Sequence, residues 1–105
     1  THVSDIVAGI LGALAHPSGE DVPHRVFNLG NHTPIELEHF IGVIEAAAGR
    51  PAQKVYKPMQ PGDMVRTMAD TRRAHDAFGY EPVTPIERGL PPVVAWCRDY
   101  FGDRA

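Results

Sequence analysis

The stretch Pro58–Asp70, which reads PMQPGDMVRTMAD, constrains this chain more than any other. Two prolines and a glycine in its first half prevent regular secondary structure, because proline fixes φ and lacks an N–H donor while glycine accepts positive φ. The polar groups of the stretch are an amide, a carboxylate, a guanidinium and a hydroxyl, carried by Gln60, Asp63, Arg66 and Thr67. A carboxylate that can bind two hydroxyls, close to a cation that suits phosphate or carboxylate, indicates a small recognition surface. The alternative is a plain surface loop in which Asp63 only caps a turn.

A strand–helix–strand pattern leads into this stretch. Arg25–Leu29 and Lys54–Lys57 are predicted strands, and the sequence TPIE at Thr33–Glu36 predicts a capping box for a helix that ends at Gly49. Strands joined in this way are expected to be parallel, with a right-handed crossover. The Pro58–Asp70 stretch would then follow the C-terminal end of the second strand, where ligands bind in α/β sheets. This placement favours a recognition surface over a plain loop.

The N-terminal region predicts a short strand followed by a helix. Thr1–Val3 is the predicted strand, and Ser4 or Asp5 is the predicted N-cap of a helix with apolar residues at i, i+3/i+4 and i+7 spacing. Gly9 and Gly12 lower the helix propensity, which indicates that another element approaches closely. That element lies either within this domain or on a docking partner.

Two more helices are predicted in the C-terminal half. Val65–Ala69 is expected to be extended and to pair with the N-terminal strand, and Asp70 is the predicted cap of a short helix that Gly79 ends. A second TPIE sequence at Thr84–Glu87 predicts another capping box and a last helix. Interior prolines remove donors and clash with the preceding turn, so we expect a break or sharp kink at Gly89–Pro92, with one of the two prolines restarting the helix.

Composition excludes several classes of protein. A chain of 105 residues has room for one domain. Its net charge of −3, without a basic stripe, argues against nucleic acid as a partner. The longest apolar run, near Ile6–Ala15, is too short to span a bilayer and follows no basic region, which argues against a membrane anchor and a signal peptide. The single cysteine, Cys97, fits a reducing compartment, and we expect a cytoplasmic protein.

The sequence carries no recognisable catalytic machinery. It contains neither a GxGxxG nor a GxxxxGK[ST] loop, and no tyrosine is followed by a lysine four residues later. None of the six histidines forms an i, i+4 pair, so no metal site is predicted. Cys97 lies on an apolar helix face and is expected to pack rather than react. Because the chain also begins at Thr1, we expect it to be part of a longer protein.

The order of motifs is specific even though each motif alone is weak. The motifs are, in sequence, THVSDIVAGI, VFNLGNHTPIEL, PMQPGD, TMADT, FGYEPVTPIE and VAWCRDYF. Together they cover nearly the whole chain, and they resemble the C-terminal part of extended short-chain dehydrogenase/reductase nucleotide-sugar epimerases. The PMQPGD form of the loop is most similar to that of the UDP-glucuronate 4-epimerase group.

This resemblance implies an α/β fold class. Residues 1–105 would form a small C-terminal UDP-sugar-binding domain with a parallel βαβ unit, short extra strands and about four helices, without the Rossmann half. The parent enzyme would use NAD, while this part would bind no cofactor itself. The resemblance further implies that Asp63 binds the uridine ribose hydroxyls. Gln60 stands where galactose-type relatives often carry an arginine for the diphosphate, so Arg66 becomes the candidate for that charge.

Several functions remain open at this point. The parent could be a UDP-sugar 4-epimerase, or a related sugar-nucleotide dehydratase or decarboxylase that shares this domain. The chain could also be a stand-alone module that binds UDP-sugars without turnover, or a structural fragment without ligand affinity. Whether it is itself an enzyme therefore stays open. Its expected partners are a UDP-sugar and an N-terminal Rossmann domain, and the parent could be a homodimer.

Overall fold

A computed structural model of the chain describes residues 1–19 and 24–102. This part contains four α-helices, as the sequence predicted: α1 (Val3–Ala15), α2 (Leu37–Ala48), α3 (Arg72–Phe78) and α4 (Ile86–Phe101). The chain forms two compact units, each of which combines two separate segments. The first unit consists of Thr1–Pro34 and Arg66–Thr84, and the second consists of Ile35–Val65 and Pro85–Ala105.

In the first unit, two glycines let α1 approach its neighbours closely. A Cβ added at Gly9 would lie 2.7 Å from Cδ2 of Leu29 and 2.9 Å from Cε2 of Tyr80. One added at Gly12 would lie 2.7 Å from Cδ2 of Phe78. These are closer approaches than a real Cβ tolerates, which explains why α1 carries glycine at both positions. Close packing within the unit is thus the observed reason for the two glycines.

A buried carboxylate joins the start of α1 to the last residue of the first unit. Asp5 is 3% exposed. Its Oδ2 accepts a hydrogen bond from the backbone N–H of Thr84 at 3.1 Å, and its Oδ1 accepts one from the Thr84 hydroxyl at 2.8 Å. Both carboxylate oxygens therefore have a partner, as a buried polar group requires.

Neither TPIE sequence forms the predicted capping box. The backbone of Glu36 is extended, so α2 begins only at Leu37 and has no side-chain capping bond. In the second TPIE sequence, α4 begins after Pro85, again without a side-chain cap. The capping-box pattern predicts that the Thr84 hydroxyl binds the first turn of α4. The hydroxyl instead donates to the buried carboxylate of Asp5, which is distant in the sequence.

The ends of α2 and α3 agree with the prediction. Gly49 and Gly79 stop these helices in left-handed conformations, with φ of 66° and 71°. Each glycine donates its N–H back to carbonyls of the last turn, which is the usual way to satisfy a helix C-terminus. The N-cap position of α3 is Thr71, one residue later than predicted. Asp70 still accepts a hydrogen bond from the N–H of Arg72 at 3.2 Å, so it supports the first turn.

The start of α1 differs from the prediction. The helix begins at Val3, so the strand predicted over Thr1–Val3 is wrong. The ring of His2 accepts a hydrogen bond from the N–H of Ser4 at 3.3 Å and serves as the cap. A histidine ring can satisfy this donor when its acceptor nitrogen faces it, although serine and aspartate are the commoner caps.

The break predicted at Gly89–Pro92 is wrong. α4 runs without interruption from Ile86 to Phe101, with Pro91 and Pro92 inside it. The fixed φ of proline, near −65°, is compatible with a helix, so the cost is limited to missing donors and local crowding. In the second unit α4 packs along α2, and the guanidinium of Arg98 donates to the carbonyl of Ala48 at the end of α2.

The described residues contain no strand, so the parallel βαβ unit is not observed. In the first unit, the carbonyl of Asn31 accepts from the N–H of Ala69 at 3.2 Å, and the amide of Asn28 donates to the carbonyl of Asp70 at 3.3 Å. One backbone bond and one side-chain bond do not make a ladder. Arg25–Leu29 is therefore not a paired strand.

Lys54–Lys57 and the segment predicted to pair with the N-terminus are also irregular. Lys54–Lys57 lies outside any regular element. Val65–Ala69 does not pair with a strand at Thr1–Val3, because Val3 already belongs to α1. The hydroxyl of Thr1 instead accepts a hydrogen bond from the N–H of Asn31 at 2.8 Å.

Candidate functional site

Gln60–Asp63 forms a tight turn in the second unit. The N–H of Asp63 donates to the carbonyl of Gln60 at 3.1 Å. Pro61 stands at the second position, and Gly62 stands at the third with φ of 90°. Proline followed by glycine with positive φ is the signature of a type II turn. The prediction that this stretch interrupts regular structure is confirmed, and the turn places Gln60 and Asp63 on either side of its two fixed central residues.

The side chains of Gln60 and Asp63 are accessible to a ligand. Residues 49–68 are all exposed. Among the described residues, neither side chain has a hydrogen-bond or ion-pair partner, so the carboxylate of Asp63 keeps all of its acceptor positions. A carboxylate of this kind can accept from two neighbouring hydroxyls at once. The turn therefore presents an unpartnered carboxylate and an unpartnered amide on a backbone that is held by its own hydrogen bond.

Two glutamates on α2 hold the segment that precedes the turn. Glu38 accepts from Nζ of Lys54 at 2.6 Å through one carboxylate oxygen and from the hydroxyl of Tyr56 at 2.9 Å through the other. Glu45 accepts from the N–H of Ala52 at 2.8 Å. The bonds from Lys54 and then Tyr56 lower the pKa of Glu38, and the bond to Glu38 raises the pKa of both donors. These anchors were not predicted, because no local sequence pattern indicates that Glu38 binds residues beyond the end of α2.

Arg66, the third predicted site residue, belongs to the first unit. It is the first residue of that unit's second segment and is exposed. Gln60 and Asp63 belong to the second unit. The structure thus brings two of the three predicted residues together on one turn.

A groove in the first unit was not predicted from the sequence. It encloses about 460 Å³ and has walls from three separate stretches, around His32, Met68–Asp76 and Glu81. In its wall, Nη2 of Arg72 lies 2.7 Å from Oδ2 of Asp70. The side-chain and then the backbone bonds from Arg72 lower the pKa of Asp70 to about 2. Because this cation is already paired with a carboxylate, the groove offers no unpaired guanidinium there for a phosphate.

The described part of the chain contains neither a metal site nor a membrane-spanning helix. Within residues 1–19 and 24–102, no three His, Cys, Asp or Glu side chains are grouped so that they could hold a metal ion. In the same residues, no helix combines the length and the apolar character needed to cross a bilayer.

The sequence has relatives of known and unknown function. No protein-family model matches the chain. An uncharacterized protein of Methanocaldococcus jannaschii is 41% identical over 96 residues, which cover 91% of this chain and 28% of that protein. UDP-glucuronate 4-epimerase 1 of Arabidopsis thaliana is 34% identical over 113 residues, which cover 97% of this chain and 26% of that enzyme. The chain therefore spans little more than a quarter of the length of these relatives.

The fold of the chain is similar to that of part of a solved epimerase structure. The crystal structure of UDP-glucose 4-epimerase from Bifidobacterium longum, in complex with NAD+ and UDP, superposes on the chain with a TM-score of 0.82 and 28% identity. The match covers 96% of this chain and 30% of that enzyme. Sequence and fold both point to UDP-sugar 4-epimerases. The chain is thus a relative of the UDP-glucuronate 4-epimerases, and it corresponds to the C-terminal part of a short-chain dehydrogenase/reductase epimerase.

Proposed function

We propose that the chain is the substrate-binding part of an NAD-dependent UDP-sugar 4-epimerase, with UDP-glucuronate as its substrate. The observation that carries the proposal is the exposed type II turn, which fixes Gln60 and Asp63 within the PMQPGD motif. Support comes from the Arabidopsis relative, a UDP-glucuronate 4-epimerase, and from the Bifidobacterium relative, whose structure contains UDP. Residues 1–105 would act as a C-terminal UDP-sugar-binding domain of a cytoplasmic enzyme of the α/β class.

Each predicted site residue receives a role from its chemistry. The carboxylate of Asp63 accepts hydrogen bonds from the two ribose hydroxyls of uridine, which lie close enough together for one carboxylate to bind both. The amide of Gln60 is neutral and offers hydrogen bonds without charge to the same nucleotide. The guanidinium of Arg66 supplies the positive charge for the diphosphate, since planar guanidinium groups bind phosphate oxygens in pairs.

NAD does not fit the residues of this chain. A dinucleotide pyrophosphate is usually bound at a helix N-terminus that follows a glycine-rich turn. α2 follows Glu36 and α4 follows Pro85, and neither helix start has such a turn. We therefore assign NAD binding to another part of the parent enzyme. This chain contributes orientation, because a fixed nucleotide keeps the attached sugar near the redox centre for longer.

Calorimetric titration of UDP into the complete gene product tests the proposal. Asp63→Ala should weaken UDP binding by about 1–3 kcal/mol, the scale of lost hydrogen bonds to a charged group. Asp99→Ala is the matched control, because Asp99 is also an exposed aspartate of the second unit but lies on α4. An unchanged UDP affinity in Asp63→Ala, equal to that of the control, would refute the role of Asp63.

Product analysis separates the epimerase from its alternatives. Conversion of UDP-glucuronate into UDP-galacturonate supports the proposed activity. A 4-keto-6-deoxy sugar or a decarboxylated product would assign the parent to the dehydratases or decarboxylases instead. Binding of UDP-sugar without any turnover would indicate a stand-alone binding module.

A further inference from the structure

We infer that Glu38 is a positioning residue for the turn at Gln60–Asp63, so that it governs UDP affinity without touching the nucleotide. The inference rests on the proposed function of that turn. All the residues involved belong to the second unit. The supporting hydrogen bonds join side chains of α2 to the segment that leads to the turn.

Glu38 binds the incoming segment at two points. Lys54 and Tyr56 are two residues apart, and both of their side chains reach the same carboxylate. One carboxylate oxygen of Glu38 accepts from Lys54 at 2.6 Å, and the other accepts from Tyr56 at 2.9 Å. A carboxylate that uses both oxygens in this way fixes the direction of the segment as well as its distance from α2.

The link between this anchor and the turn is short. Only Lys57, Pro58 and Met59 separate Tyr56 from Gln60. The ring of Pro58 fixes φ at its position, which limits the directions that this link can take. In the described part of the chain, residues 57–59 make no hydrogen bond of their own. The anchor at Tyr56 therefore sets where the turn begins.

Without Glu38, the remaining anchor lies much farther from the turn. It is the bond from the N–H of Ala52 to Glu45 at 2.8 Å, eight residues before Gln60. The turn would keep its internal hydrogen bond but would sample more positions relative to α2. Binding of UDP would then have to restrict that motion, which lowers affinity without the loss of any contact to the ligand.

The test measures UDP affinity by calorimetry in the complete gene product. We expect Glu38→Gln to weaken UDP binding about three- to tenfold, because it removes the ion pair with Lys54 and weakens the bond from Tyr56. Tyr56→Phe removes the hydrogen bond from the Tyr56 hydroxyl to Glu38 and should also weaken UDP binding. It also keeps the inference testable if Glu38→Gln does not fold. Glu36→Gln is the matched control, since Glu36 precedes the same helix and makes no capping bond.

A combined variant separates positioning from a general structural role. In a background that carries both Gln60→Ala and Asp63→Ala, Glu38→Gln should change UDP affinity by less than about twofold, because an anchor that acts through the turn has no ligand-binding side chain left to position. A purely structural role would give the same loss in both backgrounds.

Two results would refute the positioning role of Glu38. Wild-type affinity in both Glu38→Gln and Tyr56→Phe would overturn the inference, and so would a Glu38→Gln effect that persists when both Gln60 and Asp63 are replaced by alanine. In either case the proposed function stands as long as Asp63→Ala itself weakens UDP binding. If Asp63→Ala leaves UDP affinity unchanged, the proposed role of the turn fails and the inference fails with it.

Discussion

The two helix glycines at positions 9 and 42 predict opposite effects of the same substitution. Gly9 lies in α1, where an added Cβ would fall 2.7 and 2.9 Å from the methyl carbons of Leu29 and 2.9 Å from the ring of Tyr80. The Tyr80 ring is buried, and its hydroxyl donates to the carbonyl of Gly30 at 3.3 Å, so the ring cannot swing aside. Leu29 must therefore move. At Gly42, in α2, no such atom lies within 4 Å among the described residues.

The expected free-energy changes follow from these surroundings. Alanine is favoured over glycine inside a helix by about 1 kcal/mol. Gly42→Ala should gain that amount of stability. Gly9→Ala gains the same helix propensity but pushes a methyl group into a packed site, and such overpacking costs about 1–3 kcal/mol. Gly9→Ala should thus range from neutral to about 2 kcal/mol destabilising, and the two variants should differ by about 1–3 kcal/mol.

Urea unfolding followed by far-ultraviolet circular dichroism measures this difference. For a small domain with an m-value of about 2 kcal/mol/M, a gap of 2 kcal/mol separates the two midpoints by about 1 M. If Gly9→Ala raises the midpoint as much as Gly42→Ala does, the close approach of α1 to Leu29 and Tyr80 is refuted.

Two further predictions concern charge and helix continuity. Arg72 lowers the pKa of Asp70 from 3.8 to about 2, so the ionised Asp70 stabilises the fold above pH 4 and this contribution is lost as the pH falls towards 2. Carbon NMR titration of Asp70 should show its pKa return towards 3.8 in Arg72→Gln, and an unchanged value would contradict the ion pair. Pro91→Ala should stabilise the protein by about 2 kcal/mol, because it restores an N–H donor inside α4. A lower thermal midpoint in Pro91→Ala would show that the proline contributes packing that outweighs the missing bond.

Features set by neighbouring residues were predictable from the sequence. The four helices, the glycine stops at Gly49 and Gly79, and the turn at Gln60–Asp63 follow from propensities and from the few residues that accept positive φ. These signals act over a handful of positions. They do not depend on what the rest of the chain does.

Features set by distant residues were not predictable. The hydroxyl of Thr84 donates to Asp5, 79 residues earlier, instead of capping α4. No local sequence pattern predicts such a partner. Glu38 finds its donors 16 and 18 residues along the chain. The predicted strands fail for a related reason, since extended propensity becomes a strand only when another segment supplies a ladder of hydrogen bonds.

The alternation of chain segments between the two units has a consequence for synthesis on the ribosome. The chain crosses from one unit to the other at three points, after Pro34, Val65 and Thr84. Asp5 emerges long before Thr84, and at about 5–20 residues per second the interval lasts several seconds. During that time α1 is a nascent helix of 13 residues, a length that is marginal in water without tertiary contacts. Neither unit can complete its folding before translation has passed Thr84, so both must assemble late and nearly together.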